Sequence, residues 1–213
     1  YSLEEGVELL KQTATTKFIE SAEAHFCLNI DTKYSDQQLR TTITLPRGTG
    51  KEIKIAVLVS DSEKVPEILE AGATMAGSSD LVEEISKGNL DFDLLLTTPD
   101  MMPIVGRLGK VLGPRNLMPN PKVGTVTMDI EAAVKNAKGG EVQFRVEKAG
   151  VIHAGVGKAS FGEAELVQNI QAFIDAVSKA KPSGTKGAYM KKIAVSSTMG
   201  PGVSLDLGAA NTK

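Results

Sequence analysis

Two glycine-rich breaks, Pro46-Arg47-Gly48-Thr49-Gly50 and Gly139-Gly140, constrain the fold most, because the apolar pattern of the chain changes at each of them. Before the first break, Ala22, Ala24, Phe26, Leu28 and Ile30 alternate with Glu23, His25, Cys27 and Asn29. That period of two predicts a strand with one buried and one wet face. Leu39, Thr41, Ile43 and Leu45 repeat it. Between the breaks, Ile53 to Val59 and Leu94 to Thr97 are short, nearly continuous apolar runs, with helical stretches starting near Pro66 and Pro99. Strand, helix, strand, helix in that order predicts a small parallel sheet. Beyond the second break the alternation returns in Val142, Phe144 and Val146, in Val151 to Val156, and in Ile193 and Val195.

The two ends of the chain therefore resemble each other more than either resembles the middle. The expected fold joins α+β and α/β parts in two domains. Residues 1–47 plus 141–213 form a discontinuous antiparallel-sheet domain, and residues 48–140 form an inserted Rossmann-like three-layer parallel-sheet domain. A chain of 213 residues is long enough to give each part its own core. Leu3, Val7 and Leu10 predict a helix at the start, and Leu166, Ile170, Phe173, Ile174 and Val177 mark one face of a helix ending near Lys181-Pro182. Asp80 with Glu83 three residues on predicts a capping box for a helix in the insert. Gly113 to Lys122 is proline-rich and reads as a stiff surface loop. Gly48, Gly50, Gly139 and Gly140 are the expected hinge residues, since glycine reaches backbone angles closed to other residues.

Composition narrows the function classes. The longest apolar run, near Ile55 to Val59, falls far short of the roughly 20 residues that span a bilayer, so no membrane role is expected. The N-terminal residues lack the basic and apolar regions of a signal peptide and already look helical, so an N-terminal extension is expected to precede Tyr1. One cysteine, Cys27, permits neither an internal disulfide nor a multi-cysteine metal site, and a reducing compartment is the default. The net charge of −2 does not by itself indicate nucleic acid. Divided by domain it says more: the outer segments hold 14 Lys and Arg against 13 Asp and Glu, a net of +1, and the insert holds 10 against 13, a net of −3. The discontinuous domain is the better RNA partner.

Several motifs invite a catalytic reading and fail on spacing. In Gly48-Thr49-Gly50-Lys51 the first glycine is too close for a phosphate loop, Glu52 takes the Ser/Thr position, and a strand follows in place of a helix. Gly157-Lys158-Ala159-Ser160 has Ile152 where the first loop glycine belongs, and reads as a turn presenting Lys158 and Ser160. His25, His153 and Cys27 follow no metal-ligand spacing, and Asp91 and Asp93 suit a polar turn before a strand. No cofactor, metal or catalytic set is expected. Lys17-Phe18-Ile19-Glu20-Ser21 places a cation, an aromatic and a hydroxyl at the start of a strand. Taken alone, Phe18 reads as a core residue ahead of a base-stacking one. Ser196 to Gly202 combines hydroxyls with glycines that admit a partner to the backbone, and reads equally as a strand-ending turn.

Taken together, Thr15 to Phe18, Ser35-Asp36-Gln37, Leu45-Pro46, Asp91-Phe92-Asp93, Leu108 to Pro121, Gly157 to Phe161 and Thr198 to Pro201 resemble the L-one family of large-subunit ribosomal proteins, from about Leu3 to Leu207. The resemblance implies a discontinuous domain that grips large-subunit rRNA and an inserted outer domain, forming a mobile stalk that assists release of deacylated tRNA from the exit site. Its implied partners are large-subunit rRNA, exit-site tRNA and other large-subunit components. The implied rRNA-binding residues are Lys17, Phe18, Ser21, Thr198, Met199 and Gly200, to which Arg40, Lys158, Ser160 and Lys192 add phosphate or hydroxyl contacts. Lys192 departs from the small hydroxyl residue common in the family. Ser21 to His25 and Asp36 to Thr42 look most like the cyanobacterial and plastid branch, so the chloroplast stroma is the expected location and a bacterial cytoplasm the alternative. Two other functions compete: a free translational repressor that binds its own messenger, and a small nucleotide-dependent α/β enzyme.

Overall fold

A computed structural model describes residues 1–210 except Ser35, Ser62, Glu63, Ser183 and Lys186, with the backbone alone described at Lys122, Ala209 and Ala210. Ser35, part of one signature noted above, thus lies outside the described residues. The chain divides into two compact units, Tyr1–Lys51 with Gly140–Lys213, and Glu52–Gly139.

In the first unit, helix α1 (Leu3–Thr13) opens on a capping box: the Glu5 N–H donates to the Ser2 hydroxyl and the Glu5 carboxylate accepts from the Ser2 N–H. Its Leu3, Val7 and Leu10 fall on one stripe and are buried. Strand β1 (Ser21–Leu28) alternates without exception, with Ala22, Ala24, Phe26 and Leu28 buried. It pairs antiparallel with β7 (Val151–Lys158) on one side and β8 (Met190–Ser197) on the other, and β9 (Val203–Leu205) adds outside β8. Helix α7 (Glu163–Lys179) and α1 cover the apolar face of this sheet. At the centre Phe173 meets Phe26 and Phe144 with ring centroids 5.3 and 4.9 Å apart. Phe144 comes from β6 (Glu141–Arg145), which pairs antiparallel with β2 (Arg40–Thr44) in a separate two-stranded ribbon.

The second unit has a parallel sheet in the order β4-β3-β5, built from β3 (Ile55–Leu58), β4 (Met75–Gly77) and β5 (Leu94–Thr97). Every residue of β3 is buried, because both faces are covered. Ile55 and Val57 face α2 (Val65–Glu70) and α6 (Ile130–Lys138), and Ala56 and Leu58 face α3 (Ser79–Ser86), α4 (Met102–Arg107) and α5 (Gly109–Leu112). An α+β antiparallel part and a three-layer parallel part are the expected fold class. Helix α3 starts differently from expectation: Ser78 is its N-cap, and Asp80 sits in the first turn and caps nothing. β4 and β9, of three residues each, are too short to show a period. The proline-rich loop is less detached than expected, since Leu117 and Met118 pack on the α3–α5 core and Pro121–Val123 makes a 3-10 turn.

The chain passes between the units at residues 51–52 and 139–140. Gly48, Gly50 and Gly140 have φ of +67°, +67° and +95°, which favours glycine, whereas Gly139 has an ordinary φ of −68° as the C-cap of α6. These glycines are tied down. The Gly48 carbonyl accepts from Asn169 Nδ2 at 2.9 Å, Gly50 packs on Phe161, and a Cβ on Gly140 would collide with the Gly48 backbone.

Replacing Phe173 by Ala is expected to cost about 3–5 kcal/mol, measured by urea unfolding. Gly140→Ala should cost more than about 1 kcal/mol through its positive φ. A loss under 1 kcal/mol at Phe173 would contradict the packing described.

Candidate nucleic-acid interface

Extending the alternation of β1 back by one step places Glu20 on the inward-facing parity of Ala22 and Phe26. It is 2% exposed. A carboxylate turned inward must be met by donors. Here they come from the 198–200 turn and from the 16–18 bend. The Met199 N–H donates to Oε2 at 2.8 Å. The Thr16 N–H and hydroxyl reach Oε1 at 3.3 and 2.9 Å. These bonds hold the Glu20 pKa below its usual value of 4.5, the Met199 N–H contributing most, and outweigh the opposing effect of burial. The Ser197 hydroxyl pulls in the same direction from just outside hydrogen-bond geometry.

A second layer of bonds locks the same two segments. The Ser21 N–H donates to the Thr198 hydroxyl at 2.9 Å, and Lys158 Nζ donates to the Ser21 hydroxyl at 2.9 Å. The Ala159 N–H donates to the Glu20 carbonyl at 2.8 Å, which brings in the turn after β7. Gly200 closes the corner, because a Cβ there would collide with the Ser197 hydroxyl. On this frame Phe18 and Met199 stand outward, 55% and 72% exposed, with Ile19 at 65% between them in sequence. Phe18 is thus not a core residue.

Lys17, Phe18, Ser21, Lys158, Ser160, Thr198, Met199 and Gly200 therefore cluster at one end of the sheet. Arg40 does not join them. It pairs with Arg145 in the β2–β6 ribbon, which meets the main sheet near Ile152, about six strand residues (roughly 20 Å) from Lys158. Lys192 lies opposite Cys27, also at that far end. Sequence reasoning missed Glu20 as the residue that organises the cluster, and Asn169, which is fully buried on the core stripe of α7. The Asn169 amide accepts from the Arg47 N–H at 3.0 Å and donates to the carbonyls of Gly48 and Val156.

The other candidates resolve into structure. His25 and His153 are cross-strand partners with Nδ1 atoms 2.7 Å apart, and His25 Nε2 lies 2.9 Å from the Ser196 hydroxyl. Burial and the neighbouring His153 lower the His25 pKa. Among the described residues no three His, Cys, Asp or Glu side chains gather as metal ligands. Asp91 pairs with Lys54 Nζ at 2.7 Å and Asp93 accepts from the Lys54 N–H, which fastens the start of β3. No helix among the described residues is long and apolar enough to cross a membrane.

Lys17, Phe18 and Met199 are thus exposed on a frame of hydrogen bonds that engages Ser21, Lys158 and Thr198. The profile of the ribosomal protein L1p/L10e family matches residues 10–201. The chain belongs to that family of ribosomal proteins, and its role is that of a structural, RNA-binding component of the large ribosomal subunit.

The lowered Glu20 pKa sets a pH window. Stability from the ionised carboxylate is fully present above its usual value of 4.5 and is lost as pH falls through the lower folded value. Protection of the Met199 amide against hydrogen exchange should therefore be level from neutral pH down to that range and then fall. Glu20→Gln should remove the acid step and leave the amide weakly protected at every pH. An unchanged acid step in Glu20→Gln would assign it to another group.

Proposed function

We propose that the cluster around Glu20 is the rRNA-gripping surface, and that the protein forms the mobile stalk that assists release of deacylated tRNA from the exit site. The observation that carries this reading is the Glu20–Met199 bond, which joins segments 179 residues apart. It fixes an outward aromatic and an outward thioether. Structured RNA is recognised through shape, 2′-hydroxyls and phosphates, with unstacked bases taken on aromatic faces. Thr198 and Ser21 supply hydroxyls of the right kind, Gly200 leaves the backbone open to close approach, and Lys17 and Lys158 supply charge for phosphates. Phe18 offers a stacking face and Met199 a pliable apolar contact.

The exit-site tRNA role, a plastid location and the alternative of a bacterial cytoplasm come from the resemblance of Ser21 to His25 and Asp36 to Thr42 and of the longer signatures. The stalk reading fits a chain that crosses between two compact units twice, since both crossings lie in short segments beside positive-φ glycines.

Gel-shift titration with a large-subunit rRNA transcript tests the surface. Phe18→Ala should lose about 1–3 kcal/mol of affinity, the range for removing one stacking platform, and Met199→Ala should also weaken binding. Both should leave stability within about 0.5 kcal/mol of wild type, as for exposed side chains. Wild-type affinity in both variants would sink the assignment.

A further inference from the structure

Both histidines of the chain stand on the face of the first unit's main sheet that is turned away from α1 and α7. Alternation along β1 puts Glu23, His25 and Cys27 on that side. Strand pairing sets His25 directly opposite His153 on β7 and Ala194 on β8, with Gly155 and Ser196 in the next row beside Glu23. Ala194 is small, and Gly155 has nothing within 4 Å of its Cβ position, so neither closes over the two rings. His153 is exposed and His25 half-buried.

The rings meet through like atoms. His25 Nδ1 and His153 Nδ1 are 2.7 Å apart, with ring centroids at 5.0 Å. One proton lies between them, donated by one ring to the lone pair of the other. A zinc ion can use the same two nitrogens. Imidazole binds zinc at about 2.0–2.1 Å, and two nitrogens on a tetrahedral ion stand about 3.3 Å apart, so the rings need to part by only about 0.6 Å. The shared proton moves to the Nε2 of the ring that held it. His25 Nε2 lies 2.9 Å from the Ser196 hydroxyl, which can accept an N–H or donate its own hydrogen. An Nε2–H bonded to an outer oxygen fixes a metal-binding histidine in the tautomer that leaves Nδ1 bare. Burial first, and His153 second, lower the His25 pKa, so its ring is neutral at neutral pH, the form with a lone pair to give. The Glu23 carboxylate, whose charge reaches His25, favours a cation at this place.

We propose that His25 and His153 form a surface site for one zinc ion, bound through both Nδ1 atoms, with the Ser196 hydroxyl orienting His25 and water in the remaining positions. No third His, Cys, Asp or Glu joins them among the described residues, so the ion has two protein ligands and exchanges with solvent. Magnesium, which takes oxygen ligands and gives up its water reluctantly, does not compete. The site shares no side chain with the Phe18 and Met199 surface and stands independently of the RNA reading.

The test uses the full chain with isotope-labelled histidine, free of RNA and in excess magnesium. Zinc is titrated in and the imidazole nitrogens are followed by NMR, where the chain's two histidines give the only ring signals. Both Nδ1 signals should shift together and level off at one ion per chain, while each Nε2 keeps a proton. His153→Asn changes an exposed position, so it should melt close to wild type and still bind zinc more weakly, by about tenfold or more. Ser196→Ala should weaken zinc binding by about tenfold, the lower end for loss of an outer partner of a ligating histidine. A shift at one ring alone, no shift with zinc in excess, or wild-type zinc affinity in either variant would overturn the inference and leave the pair as a cross-strand hydrogen bond.

Discussion

A carboxylate turned into a protein needs donors, and those that meet Glu20 come from two parts of the chain far apart in sequence. The Thr16 bend lies just before β1 and the Met199 turn just after β8. The two strands are hydrogen-bonded neighbours, which brings the segments close, but strand pairing ends at Ala22 and Ser197. Beyond that point the frame is built from side chains: Glu20 to Thr16 and Met199, Thr198 to Ser21, Lys158 to Ser21. Loss of Glu20 would leave N–H groups unmet and a loop free to fold Phe18 and Met199 inward. In the proposed reading this surface grips a shaped RNA, and the Glu20 carboxylate holds its two segments together before binding.

The insert poses a different constraint. A domain placed within another must leave and return without pulling its host apart. Here the exit and return strands, β2 and β6, pair with each other, and the Leu45 N–H donates to the Gly140 carbonyl at 3.1 Å. Asn169 then ties the exit side to the host helix and to β7. All the polar atoms of its amide group face the backbone of the first unit, so the exit side is anchored to the host domain.

Much of this was legible from residue order. Alternation located β1, β2, β6, β7 and β8, because each has one covered face, and continuous apolar runs located β3 and β5, covered on both. The same rule, carried one step further, puts Glu20 inside. The sequence alone hides this, because a charged residue at the start of a strand ordinarily points to water. Asn169 was hidden for a similar reason: it occupies an apolar stripe at the right spacing, and its meaning depends on a loop 121 residues away in sequence. β4 and β9 are too short to carry a period, and α6 follows a cap, Asp129, whose bond to the Ala132 N–H is local but whose helix has small apolar residues. Both glycine-rich breaks lie near the points where the chain passes between the two units, yet richness in glycine does not imply freedom. Gly48, Gly50 and Gly140 are there because their φ and close contacts demand them, and Gly139 because it ends a helix. Arg40 and Lys192 illustrate the limit of charge alone, since both are exposed cations of the same unit and neither lies near Glu20.

In the proposed reading the segments flanking Glu20 close over RNA as one surface. Hydrogen–deuterium exchange on the full chain, with and without the large-subunit rRNA transcript, addresses it directly at peptide resolution. RNA should add protection at residues 15–21 and 196–201 together, in wild type and not in Glu20→Gln. Protection of only one of those segments, or of neither while the RNA remains bound, would contradict it.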